Sequence, residues 1–122
     1  MAESVIPAIN GIVDIKNQVT LSKSTNCGSV TLNEAYRCGN IVYLEFEVRP
    51  SATVASGGNV DVTLSGITPA AATDNRIGYG VIGIDLWGCW LTSPTNIRVR
   101  RMVSDTWTTS LSPIVSGLFM VI

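Results

Sequence analysis

Between Gly39 and Pro50 hydrophobic and polar positions alternate strictly, with Val42, Leu44, Phe46 and Val48 on one side and Tyr43, Glu45, Glu47 and Arg49 on the other. Side chains of an extended chain point to opposite faces with period 2, so this order predicts a strand with one dry face and one wet face. After Ser56-Gly57-Gly58-Asn59 the pattern returns, with Val60, Val62 and Leu64 opposite Asp61 and Thr63. Two such strands joined through a glycine turn predict a hairpin.

The same reading extends along the chain. Ile9 to Ile15 and Val19 to Lys23 are expected as short strands separated by Lys16-Asn17-Gln18. From Ser29, Val30 and Leu32 alternate with Thr31 and Asn33, and Asn33-Glu34-Ala35 is expected to turn before Tyr36 leads into the central strand. Pro50 ends that strand, because proline brings no N–H to a ladder. Ile67 to Asn75 is the longest loop by composition. Gly80 to Leu91 is apolar in both alternating sets and is expected to be covered on both sides. After the Thr92 to Asn96 turn, Ile97, Val99 and Val103 are expected inward and Arg98 and Arg100 outward, with a bulge at Arg101. Ser104 to Thr108 is a further loop, and Ser116 to Ile122 a closing strand. Turn spacings of roughly 8 to 15 residues predict an all-β fold, an antiparallel β-sandwich of jelly-roll-like type with about seven to nine strands.

Composition supports strands and narrows the partners. At 122 residues the chain is most simply one domain with one core. Only 14% of residues are charged, the net charge is −1 and the mean hydropathy is +0.34. Such a balance offers no track for nucleic-acid phosphates and no attraction to an anionic membrane. It also leaves little ionic exterior for a monomer, so contact with copies of itself is expected. Cys27, Cys38 and Cys89 are odd in number and lack a Cys-x-x-Cys pair, which predicts thiols and no disulfide framework. No signal peptide is visible, and no apolar run approaches the ~20 residues that a spanning helix needs.

Candidate chemistry is sparse. Gly78-Tyr79-Gly80-Val81-Ile82-Gly83 matches a dinucleotide-binding spacing, but that fingerprint works only between a strand and a helix, so these glycines are read as serving tight bends or close strand packing. Glu45 and Glu47, with Asp61 expected opposite across the hairpin, are the one pairing of carboxylates suited to glycoside cleavage; solvated strand acids neutralised by Arg49 or Arg98 are the plainer reading. With no histidine there is no Ser-His-Asp or Cys-His arrangement, and zinc would lack ligands. No catalytic residue, metal or cofactor is therefore assigned. Arg98, Arg100 and Arg101 are read as a salt-bridged or interface strand. Aromatic faces suit sugars and subunit contacts alike: Trp107, in a polar loop, is read either as an exposed contact or as a cap on the end of the sandwich, and Asp105, Tyr79 and Arg76 are further ligand-contact candidates. Trp87, Trp90 and Ile84 are assigned to core or subunit interface.

One resemblance follows from these elements. Val30-Thr31-Leu32, Tyr36, Gly39-Asn40-Ile41-Val42, the Ala55-Ser56-Gly57-Gly58 turn, Val62-Thr63-Leu64 with Pro69, Ile97-Arg98-Val99 and Gly117-Leu118-Phe119 make the region from about residue 29 to 122 resemble the C-terminal head domains of phage tail-fibre and baseplate proteins. The resemblance implies a small antiparallel sandwich, trimeric at the fibre tip in the virion, that binds carbohydrate of the host bacterial surface and adjoins other tail proteins. The chain departs from the family's Leu-Pro exit with Leu64-Ser65-Gly66-Ile67-Thr68-Pro69, and no stalk precedes the head, so residues 1 to 28 are expected as a short neck. No sugar-binding residue transfers by position. The expected function is non-catalytic host attachment, with a virion adaptor or decoration domain as the alternative and a glycan-cleaving enzyme behind both.

Overall fold

In the computed structural model, which describes residues 11–70 and 75–122, the chain is all-β. Its strands are β1 (Ile12–Asp14), β2 (Thr20–Lys23), β3 (Cys27–Cys38), β4 (Ile41–Pro50), β5 (Val60–Ser65), β6 (Asn75–Ile82), β7 (Asp85–Ser93), β8 (Asn96–Arg101) and β9 (Ile114–Met120). They form one antiparallel sheet in the order β1-β3-β4-β9-β6-β7-β8-β5-β2. The two edge strands, β1 and β2, are neighbours in sequence. A link this short cannot span a flat sheet of nine strands, so the sheet curls until its edges approach. Ile15 and Val19, both buried, fill the seam, and Ile15 N–H bonds to Ala35 O at 2.9 Å. The short link after β2 ties the same seam: Asp61 N–H bonds to Thr25 O at 2.9 Å and Ser51 N–H to Asn26 O at 2.8 Å.

Curling gives the sandwich its two leaves. Val42, Leu44, Phe46 and Val48 of β4 face Val60, Val62 and Leu64 of β5, Trp87, Cys89 and Leu91 of β7, and Ile97 and Val99 of β8, all at 0% exposure in one core. The alternation read in β4, β5 and β8 is therefore the division between core and exterior. The leaves join where β6 meets β9 over three residue pairs, Gly78 with Gly117, Tyr79 with Ser116 and Gly80 with Val115. At this corner the backbones approach so closely that a Cβ on Gly78 would overlap Ser116 O and lie 2.7 Å from Gly117 Cα, and a Cβ on Gly80 would overlap Ile114 O. The glycine spacing thus serves close strand packing, as its surroundings in the sequence suggested.

Several local expectations are corrected. β4 and β5 are not a hairpin: β4 pairs with β3 and β9, β5 with β2 and β8, and the segment between them crosses from one leaf to the other. Alternation shows that each strand has a dry face but not which strand lies beside it. Asn33-Glu34-Ala35 is not a turn, because β3 runs unbroken and absorbs Asn33 as a bulge between Leu32 and Glu34. Gly80 to Leu91 is not one doubly covered segment; it is a hairpin whose two-residue loop has Gly83 at φ +61° and Ile84 at its tip, 99% exposed. Arg101 stays in register opposite Trp87 without a bulge, and its guanidinium is held by Asp85 at 2.6 Å. Residues 11–28 are no neck apart from the sandwich, since β1 pairs with β3 and β2 with β5. Met1 to Asn10 and 71–74 lie outside the described residues, including the start of the first expected strand and part of the long loop.

Cys27 and Cys89 are buried thiols and Cys38 is exposed. Burial pushes the Cys89 thiol up to about 12 from an ordinary 9.0, with Arg76 opposing. A raised acid keeps its proton in the folded chain, so the contribution to stability is complete below pH 9 and is lost as pH rises toward 12. The folding constant is expected to fall by up to about tenfold per pH unit in that window. Urea titrations at pH 8 and pH 10.5 should show a steeper loss for the natural chain than for Cys89→Ala; equal losses would contradict it.

Candidate functional site

The outside of the first leaf is polar along Glu45, Glu47 and Arg49, as the alternation predicts, and turns apolar toward its other end. Ile12 of β1, Cys38 of β3, Ile41 of β4 and Met120 of β9 are successive register partners, and the next row is Asp14, Tyr36, Tyr43 and Leu118. The two tyrosine rings stack at 6.5 Å with 22° between their planes. Together these rows leave a groove of about 410 Å³ lined by Ile12, Tyr36, Arg37, Cys38, Ile41, Tyr43 and Leu118. Leu118 is 56% exposed and Met120 58%, unusual for large apolar side chains with a buried strand face available to them. A second, smaller cleft of about 230 Å³ continues the surface over Tyr43, Ser116 and Leu118 to the glycine corner.

Acidic side chains border this apolar surface. Glu34 and Glu45 are direct cross-strand partners. The Tyr43 hydroxyl donates to Glu45 Oε1 at 3.2 Å, and desolvation first, then the Glu45 charge, pushes the Tyr43 phenol up. Ser112 Oγ donates to Glu47 Oε2 at 2.9 Å, and Arg49 donates to Ser112 at 3.5 Å. Asp61 lies on the other leaf, where Arg98 holds it through two bonds of 3.0 and 3.2 Å. The three carboxylates are therefore not assembled, and the plainer reading holds for Asp61, which lies on the other leaf from Glu45 and Glu47 and is ion-paired to Arg98.

The outside of the second leaf is cationic. Trp90 pairs with Arg98 in register, and the guanidiniums of Arg76 and Arg100 stand 5.1 and 5.5 Å from its ring centroid. Arg100 Nε donates to Asn59 Oδ1 at 2.9 Å. Gly88 makes the arrangement possible, since a Cβ there would lie 2.9 Å from both the Arg76 guanidinium and the Trp90 ring. Arg76, Gly78, Tyr79 and Leu86 line a cleft of about 460 Å³ beside it.

Of the residues singled out from sequence, the structure brings Arg76 and Tyr79 into one cleft and places Trp90 at its side. For Trp107 the capping alternative holds and the exposed contact does not: it is 1% exposed, and its ring meets Trp87 edge-on at 5.8 Å. The Trp107 indole N–H donates to Leu111 O at 2.8 Å, and paired backbone bonds to Val54 draw the loop beneath the sandwich. It caps the core and presents no platform. Trp87, at 0% exposure under the Arg101 guanidinium, is core and not an interface. Asp105 is exposed, accepts from Thr106 N–H at 2.7 Å and lies 3.9 Å from Arg101. Ile84 projects fully from the β6–β7 tip.

The residues that sequence reasoning missed are Tyr36, Ile41, Tyr43 and Leu118. A signal was present, because Ile114 to Ile122 is apolar at Leu118 and Met120 as well as at the inward positions Val115, Phe119 and Val121. Among the described residues no three histidine, cysteine or acidic side chains are grouped to hold a metal. In comparison with known proteins, the chain matches no family model, no curated protein and no solved structure.

Proposed function

We propose that this chain is a non-catalytic attachment module that works as a homotrimer, of the kind found at phage tail-fibre and baseplate tips, and that the assembled module holds glycans of the host surface without cleaving them. The observation that carries this reading is the apolar outer face of β1, β3, β4 and β9. Completely burying a large apolar side chain contributes about 1.5–3 kcal/mol, and Ile12, Ile41, Leu118 and Met120 are 44–58% exposed, so the half of each that is left to bury contributes toward the ~4–15 kcal/mol that association costs. Glycan capture is proposed for the whole module on its resemblance to tail-fibre heads. The apolar lining of the 410 Å³ groove favours a protein surface over a sugar as what covers that face, which also keeps a virion adaptor in view.

Sedimentation equilibrium at micromolar concentration is expected to give three times the 13.0 kDa chain mass. A mass of one chain would sink the trimer. Screening the assembled protein against bacterial envelope glycans tests the second half: binding is expected, whereas no glycan bound together with tight association to a tail protein would replace attachment by the adaptor role.

A further inference from the structure

We propose that copies of this chain join head to tail, the Arg76–Trp90–Arg100 face of one molecule seating on the Glu34–Glu45 face of the next. The proposal rests on the homotrimer reading and names the two surfaces that meet. Its starting point is an unresolved local conflict. Glu34 and Glu45 stand directly opposite each other on adjacent strands, where like charges destabilise a sheet, and among the described residues neither makes an ion pair. Among the described residues, the neutral hydroxyl of Tyr43 donates to Glu45 and leaves both charges in place.

The opposite conflict exists on the second leaf. Arg76 and Arg100 crowd one indole ring, and among the described residues neither has a carboxylate partner, since Asp61 is taken by Arg98 and both Asp85 and Asp105 by Arg101. Stacked on Trp90, with Gly88 leaving room, the two guanidiniums are held with little rotamer freedom left to lose on binding. Each face also carries apolar surface beside its charges, Tyr43 and Leu118 on one and Leu86 on the other, with Tyr79 lining a cleft on each. One face needs cations and the other needs anions, and both belong to the same chain. A contact between two different patches of identical subunits is heterologous, and it closes into a ring of three when its rotation is one-third of a turn.

Two charge-reversed chains test this. Glu34→Lys with Glu45→Lys, and separately Arg76→Glu with Arg100→Glu, are each expected to weaken assembly by about a hundredfold or more and to sediment as single chains where the natural protein is trimeric. Circular dichroism and thermal melts establish that each is folded; should Arg100→Glu unfold the chain, Arg76→Glu alone replaces the pair. Combining all four substitutions in one chain reverses both faces, and the trimer is expected to return. Trimers persisting in both reversed chains would overturn the proposed contact and leave the homotrimer reading standing. Dissociation without rescue in the combined chain would also overturn it, by assigning the charges to another occupant such as an anionic polysaccharide or a different tail protein. A natural chain that sediments alone defeats the homotrimer reading, and the contact with it.

Discussion

Replacing Gly78 by alanine is expected to cost about 3 kcal/mol or more, a large part of the 5–15 kcal/mol that holds an ordinary domain folded. The Cβ has nowhere to go: it would overlap the Ser116 carbonyl oxygen and stand 2.7 Å from Gly117 Cα and 2.8 Å from Ser116 C. Those atoms are backbone, so no rotamer change relieves the overlap, and only separation of β6 from β9 does. Because three residue pairs alone join those strands, separating them opens the corner between the leaves and exposes the core. Gly57→Ala is the control. Gly57 has φ +82° with nothing within 4 Å of an added Cβ, so its alanine carries conformational strain only, about 1–2 kcal/mol. Urea denaturation of the three proteins should rank the natural chain first, Gly57→Ala second and Gly78→Ala last; equal midpoints for the two variants would mean that the corner is looser than described.

Trp107→Ala is the second large effect, expected at about 3–5 kcal/mol. Truncation empties the space of an indole ring, removes its edge-on contact with Trp87 and leaves Leu111 O without its donor at 2.8 Å. The loop that Val54 and Trp107 hold through paired backbone bonds loses the side chain that roots it. Trp90→Ala offers the contrast, since its ring lies half-buried on the exterior between two arginines and its loss should cost far less. Thermal melts decide between them: a Trp107 variant as stable as the Trp90 variant would contradict a buried cap. The same comparison separates stability from assembly, because truncating Trp90 removes the support of Arg76 and Arg100 and is expected to weaken the trimer while the subunit stays folded.

Alternation made the core faces of β4, β5 and β8 legible before any coordinates, since period-2 patterning reports whether a residue meets water and does so locally. Pairing was not legible. The glycines at 57 and 58 do make a turn, with Gly58 N–H bonded to Ala55 O at 2.8 Å, but the chain leaves it for the opposite leaf instead of returning beside β4. For Trp107 the sequence leaves exposed contact and core cap both open. Its neighbours Asp105, Thr106 and Thr108 are polar and spell a loop, yet two backbone bonds to Val54, far away in sequence, decide that the indole is buried. The outer apolar face was half legible: Tyr43 and Leu118 look like ordinary positions on separate strands until register sets them side by side.

What the amino-acid order determined by itself is the class of structure and the positions of its dry faces, because β-branched alternation and glycine or proline breaks act through near neighbours. Which strands lie together, that residues 11–28 complete the sheet and that Glu34 opposes Glu45 while Arg76 and Arg100 share Trp90 were decided only by the curling of one long sheet. The physical reason is that register and curvature are settled by contacts between segments remote in sequence, through seam residues such as Ile15 and Val19 and a corner that only glycine can occupy.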